Sequence, residues 1–222
     1  GFPPFLKKSL KTIKSGIHYN LSLLELRRES SVSSLKLYLF SFDPQYFNFK
    51  VHFNLAREYI DKYMFPGMIF GVNASFFDKS GRVIGVVISN SEIVSGITNK
   101  LGAYFLIYKN RQSPMIGEFK KLPVTEIQEA VKGYPLIMSE GIVPANLFKI
   151  KSEIARRTIA TNLVNGWSAF LVTDTVIEGL SLQELPVVLG GLGARDAINL
   201  DGGGSTQCFF TLYDYKLIIN GN

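Results

Sequence analysis

Short apolar runs that alternate with polar residues recur along the chain, and they predict strands far more often than helices. Ile17 to Leu26 and Leu35 to Phe42 read as two strands around a serine-rich turn at Ser30-Ser31. In the second, Leu35, Leu37 and Leu39 alternate with Lys36, Tyr38 and Phe40. Asp43-Pro44 makes a turn, after which Phe47, Phe49, Val51 and Phe53 alternate again. Met68 to Val72 gives a buried strand ending at Asn73, and Val83 to Ser89 pairs with Ile93-Val94 across Asn90-Ser91. Further strands are Tyr104 to Tyr108, Ser168 to Val172 with Thr173-Asp174 at its exit, and a closing hairpin over 208–219.

Helical signals are fewer. Leu55 to Met64 reads as a helix stopped by Pro66-Gly67. Thr125 and Gln128 form a capping box opening a short helix that ends at Gly133. A second box, Ser181 with Glu184, precedes the face Leu182, Leu185, Leu189 and Leu192, with Pro186 in its first turn. Many strands, few helices and no repeated βαβ rhythm predict an α+β fold: a mixed, largely antiparallel sheet with a few packed helices in a single domain. That domain spans 17–222 and follows an irregular basic lead-in over 1–16.

Composition narrows the chemistry. At 222 residues, 46% apolar and 19% charged, the chain is an ordinary well-packed protein of about one domain. The single cysteine, Cys208, excludes an intrachain disulfide framework and any multi-cysteine metal site. Its only histidines, His18 and His52, stand apart, so acid–base work falls to carboxylates. The net charge of +6 is concentrated early, at Lys7, Lys8, Lys11 and Lys14, as a solvated or membrane-proximal segment. No helix-turn-helix, zinc-finger or aromatic RNA-binding signature accompanies it, and no nucleic-acid partner is expected. Nowhere does an apolar run reach bilayer length. Gly1 in place of methionine is compatible with the removal of an upstream segment.

The densest chemistry lies in Ala197-Ile198-Asn199-Leu200-Asp201-Gly202-Gly203-Gly204-Ser205-Thr206. A buried strand delivers Asp201 to its carboxyl end, followed by three glycines and two hydroxyls. A plain tight turn is the simpler account, yet three glycines exceed what a two-residue turn needs, and each costs roughly 0.5–1 kcal/mol of backbone entropy. Gly202, Gly203, Gly204 and Ser205 therefore read as a cradle for an anionic or sugar ligand. No Gly-Lys-Ser/Thr follows, so the run is not a nucleotide phosphate loop. Asn73, Arg157-Thr158 and Glu140-Gly141 likewise place polar groups where apolar strands end.

In order, Asn73-Ala74-Ser75-Phe76-Phe77-Asp78, Gly85-Val86-Val87-Ile88, Gly133-Tyr134-Pro135-Leu136, Arg157-Thr158, Gly179-Leu180-Ser181-Leu182-Gln183-Glu184-Leu185 and Ala197 to Thr206 resemble the phosphodiester glycosidase family, over roughly 65–220. Ser75 stands where the family usually has glycine, and Ala160-Thr161 follows Arg-Thr in place of Ile-Gly. The resemblance implies an exported, extracytoplasmic hydrolase that cleaves between a sugar's anomeric carbon and phosphate, on cell-wall or exopolysaccharide material. It implies Asp201 as nucleophile or base, Asp174 as supporting carboxylate, and Asn73, Arg157, Thr158, Gly202, Gly203, Gly204 and Ser205 as substrate contacts. No cofactor and no metal ligands are assigned; a divalent ion near the carboxylates is compatible with the residues. The rival reading is a non-catalytic glycan- or phosphoglycan-binding module that keeps the pocket without turnover.

Overall fold

A computed structural model describes residues 11–14, 16–28, 31–54, 58–95, 102–174 and 179–221. Pro3-Pro4, Lys7, Lys8, Ser30 and the opening of the helix expected from Leu55 lie outside the described residues. Numbered along the chain, the strands form three sheets. The largest has the spatial order β1 (Lys11–Lys14), β2 (Ile17–Arg28), β3 (Ser31–Phe42), β12 (Ser168–Thr173), β11 (Thr158–Leu163), β13 (Ala194–Asn199) and β10 (Leu136–Met138). The second runs β6 (Glu92–Ile93), β5 (Ile88–Ser89), β9 (Ile127–Gly133), β7 (Gly102–Tyr108), β8 (Met115–Phe119). The third is β15 (Tyr215–Ile219), β14 (Cys208–Leu212), β4 (Phe70–Val72).

Period-two alternation sorts the large sheet into two faces. Phe40, Ala160, Phe170, Val172 and Ile198 point into a core that the other sheets close with Phe105, Val131, Cys208 and Phe210. Leu37, Leu39, Ile159, Leu171 and Ala197 point the other way, beneath Leu185, Val188 and Leu189 of helix α1 (Leu185–Gly191). The described residues of 44–59 form no strand, yet Phe47, Phe49, Val51 and Phe53 pack against the first core as a strap.

The expected α+β class is overturned. All three sheets are antiparallel throughout, and α1 is the sole α-helix among the described residues. Residues 127–133 form strand β9, not a helix, because β9 lies between β5 and β7 and buries both of its faces. Paired ladders on both edges outweigh a capping box. The helix expected over Leu55–Met64 shrinks to a 3-10 turn, Ile60–Tyr63, among its described residues. α1 starts only at Leu185, since Pro186 lacks an amide proton and fits only a first helical turn. Within the lead-in read as irregular, Lys11–Lys14 is a strand on β2. The turn between β5 and β6 does use Asn90 (φ 51°) and Ser91 (φ 70°), the left-handed pair that matches strand twist.

Candidate active site

β13 carries the chain out of the core, and Asp201 follows where it leaves the sheet. The Asp201 amide donates to the Ala74 carbonyl (2.8 Å), and its own carbonyl accepts Asn73 Nδ2 (2.9 Å). Asn73 Oδ1 accepts the Gln207 amide (2.8 Å), so one side chain clamps both limbs of the glycine turn. On the other flank, Asn199 Nδ2 donates to the Tyr134 carbonyl (2.7 Å) and the Tyr134 amide to the Asn199 carbonyl (2.8 Å). A Cβ at Gly133 would stand 2.5 Å from the Asn199 carbonyl oxygen, which explains the glycine before Tyr134-Pro135. Two sequence motifs thus converge on the backbone beside one carboxylate.

Asp201 is half-buried. Burial pushes its carboxyl pKa above the ordinary value, while hydrogen bonds from the Ser205 hydroxyl and the Gly202 amide pull it back. The Gly202 amide reaches Asp201 Oδ1 at 3.0 Å. A Cβ at Gly202 would lie 2.6 Å from the Arg156 carbonyl oxygen, and that same oxygen accepts the Gly203 amide (2.9 Å). Gly203 adopts φ +58°. The glycines therefore bring the turn flush against β11's lead-in, and two of the amides expected to cradle an anion are engaged within the protein. Around the turn, Ser75 Oγ, Thr158 Oγ1, Thr206 Oγ1 and Arg156 Nε are buried without a hydrogen-bond partner among the described residues. Such groups are costly to leave unpaired, and of the four Ser75 also lines the cleft in front of Asp201.

A cleft of about 1380 Å³ opens in front of Asp201. Asn73, Gly204 and Ser205 line it with Asp201; Arg157, Thr158 and Asp174 do not. Arg157 instead donates from Nε to the Leu180 carbonyl (2.7 Å) and from one terminal nitrogen to the Glu153 carbonyl (2.7 Å) and Ser152 Oγ (3.1 Å). Burial pushes its guanidinium pKa down, with Glu184 opposing. Asp174 accepts from the Tyr38 hydroxyl at 3.5 Å, and burial together with that carboxylate pushes Tyr38 up to about 12. Asp78 anchors a turn through Ser80 and Arg82, and Glu140-Gly141 closes a turn between Ser139 and Ile142. The described residues contain no group of three or more His, Cys, Asp or Glu placed to hold a metal ion.

Two residues escaped the sequence reading. Arg156 is buried and donates to the Asn220 carbonyl (3.1 Å), near Cys208 on the opposite side of the strand from Arg157. Strand alternation through Thr158 and Ala160 would have placed it there. Glu129, also buried, lines the cleft and accepts the Val51 amide (3.0 Å) and the Asn90 amide (3.2 Å). Burial pushes its pKa up, opposed by those amides and by Lys50. Reading 125–133 as a helix hid it, though Ile127, Glu129 and Val131 already alternate.

Asp201 thus stands half-buried at a strand end, beside a glycine turn and on a wide cleft that Glu58 and Glu129 also line. Residues 66–222 match the model of the phosphodiester glycosidase family, and the chain belongs to that family. The fold is similar to that of the zebrafish N-acetylglucosamine-1-phosphodiester alpha-N-acetylglucosaminidase catalytic domain, a structure auto-inhibited by its pro-peptide. The TM-score is 0.73 at 16% identity, covering 98% of this chain and 81% of that one. A hypothetical protein from Synechocystis shares the fold at TM-score 0.64 and 14% identity, over 100% of this chain and 61% of that one. A protein from Burkholderia pseudomallei K96243 described as exported does so at TM-score 0.55 and 10% identity, over 80% and 69%. No curated protein matches the sequence.

Proposed function

We propose that this chain hydrolyses the bond between a sugar's anomeric carbon and phosphate in a sugar 1-phosphodiester, outside the cytoplasm. The observation that carries the reading is Asp201: a carboxylate at a strand's end, fixed through its backbone by Ala74 and Asn73 and facing an open cleft. Asp201, ionised, attacks the anomeric carbon or takes a proton from the attacking water. The departing phosphate is a good leaving group, so a strong general acid is less needed than in ordinary glycosidases. Gly204 and Ser205 border the place where sugar and phosphate meet the carboxylate, and the lysines of the lining, Lys50 and Lys62, each lie near a carboxylate, Glu129 and Glu58. Export is supported by the description of the Burkholderia structural relative. Cell-wall or exopolysaccharide phosphodiesters are the substrates this location favours.

The test is incubation with UDP-GlcNAc and with the methyl ester of GlcNAc 1-phosphate, reading free GlcNAc. Release that disappears in Asp201→Asn supports the enzyme. Binding without release across a panel of sugars favours the non-catalytic module.

A further inference from the structure

Nine of the chain's 17 phenylalanines line the cleft in front of Asp201, among them Phe47, Phe49, Phe53, Phe65, Phe70 and Phe77. Most serve the core on their other side, but Phe65 and Phe77 are each 52% exposed. Leaving a large aromatic half in water forgoes much of the roughly 2–3 kcal/mol its burial supplies, and exposed apolar surface of this kind marks binding. Aliphatic groups fill the intervals: Val51, Met68, Ile69, Val83 and Leu200. A sugar-stacking site needs one or two rings and many hydrogen-bonding groups. Here apolar side chains outnumber polar ones; Asn73 and Ser205 join Asp201 in the lining, and Lys50, His52, Glu58, Lys62 and Glu129 add polar groups elsewhere along it.

Size points the same way. At about 1380 Å³ the cleft exceeds the roughly 300–1000 Å³ of ordinary small-molecule sites. A hexose phosphate occupies a fraction of it and gains nothing from phenylalanine walls. Residues 47–53 alternate so that Phe47, Phe49, Val51 and Phe53 all face inward, and Glu129 fixes this strap by accepting the Val51 amide (3.0 Å). The strap is thus held in shape by a part-buried hydrogen bond. Lys50 and Lys62 also line the cleft, Lys62 paired with Glu58 at 3.6 Å and Lys50 near Glu129.

We infer that the substrate's alcohol side is a long alkyl or isoprenoid chain: a sugar 1-phosphate esterified to a lipid alcohol, with the sugar end at Asp201 and the chain along the Phe65–Phe77 wall. This rests on the sugar 1-phosphodiester reading of the same site. Hydrolysis then adds water across the anomeric C–O bond, giving the free sugar and the lipid phosphate monoester.

The experiment compares methyl, butyl and octyl esters of GlcNAc 1-phosphate, each below its micellar concentration, by kcat/KM for released GlcNAc. Each methylene fully buried is worth about fourfold, so the octyl ester, even partly buried, exceeds the methyl ester by at least about tenfold. Phe65→Ala combined with Phe77→Ala lowers the octyl-to-methyl ratio by at least about fivefold. A flat series with measurable hydrolysis overturns the inference and leaves the glycosidase reading standing. A second measurement does not need turnover: calorimetric titration of octyl phosphate against methyl phosphate. If no ester is cleaved yet octyl phosphate binds at least about tenfold tighter, and the double variant loses that preference, the chain site stands and the glycosidase reading falls. Equal binding of the two phosphates overturns the chain site.

Discussion

At the scale of single residues, two charged groups marked by the sequence have opposite structural fates. Asp201 faces the cleft with its carboxylate; Arg157 spends its guanidinium on Leu180, Glu153 and Ser152. Asp201→Asn keeps the acceptor for the Gly202 amide and removes a charge that burial disfavours, so its melting temperature near neutral pH equals or exceeds wild type. Turnover falls by roughly a thousandfold or more. Because the folded pKa is raised, the folded state holds this proton more tightly than the unfolded one. Its linked stability is therefore greatest below the ordinary carboxylate pKa of about 4 and declines as pH climbs through the raised value. Activity needs the ionised form, so the acidic limb of kcat/KM lies above that ordinary value. A limb at or below it would deny Asp201 the role. Arg157→Lys keeps the charge but satisfies at most part of three hydrogen bonds, costing about 2–4 kcal/mol in urea unfolding. KM for any cleaved ester stays within about twofold of wild type, since a group outside the cleft makes no difference to substrate binding. A raised KM at unchanged stability would return Arg157 to the substrate.

Among elements, β9 shows where the sequence was legible and where it was not. The hairpin through Asn90-Ser91 and strands β2, β3, β12 and β14 follow from alternation and turn chemistry, which are local. Whether 127–133 became helix or strand depended on β5 and β7 flanking it, and strand order such as β3-β12-β11-β13 comes from pairings far apart in the chain. No local signal carries those. The same limit hid Glu129, whose partners Val51 and Asn90 lie 78 and 39 positions away. Asp201 was legible because a strand, an acid and a glycine turn sit within one short segment. Alternation sets Arg156 and Arg157 on opposite sides of the chain, but which side packs toward Cys208 is decided by a strand far away in the sequence. Glu129→Gln turns one oxygen into a donor facing a backbone amide, leaving that amide buried and unpaired. The loss is about 1–3 kcal/mol at neutral pH, and hydrogen exchange at Val51 and Asn90 accelerates before that of β7. Uniform acceleration across β7 and β9 would show that Glu129 holds the whole sheet, not the strap.

For the whole molecule, the three sheets share one core, and Phe170 sits at their junction. Its ring centroid lies 5.1 Å from Phe70 of the small sheet, 5.7 Å from Phe105 of the five-stranded sheet, and 6.0 Å from Phe49 of the strap. Phe170 also forms part of the cleft's inner wall. Truncation to alanine there removes contacts to every layer at once, and a gap bordered by an open cleft has few neighbours free to collapse into it. Phe170→Ala accordingly costs about 3–5 kcal/mol, the upper range for large-to-small core changes. At this chain length that lowers the melting temperature by about 10 °C. Trp167, the sole tryptophan, directly precedes β12 of the large sheet and packs against His18 of β2 with ring centroids 4.5 Å apart, so its fluorescence reports that sheet while far-UV circular dichroism reports all three. If the sheets unfold as one unit, both signals shift to the same lower denaturant midpoint in Phe170→Ala. A fluorescence midpoint that moves alone would mean that the large sheet unfolds separately, and the shared core would not bind the layers together.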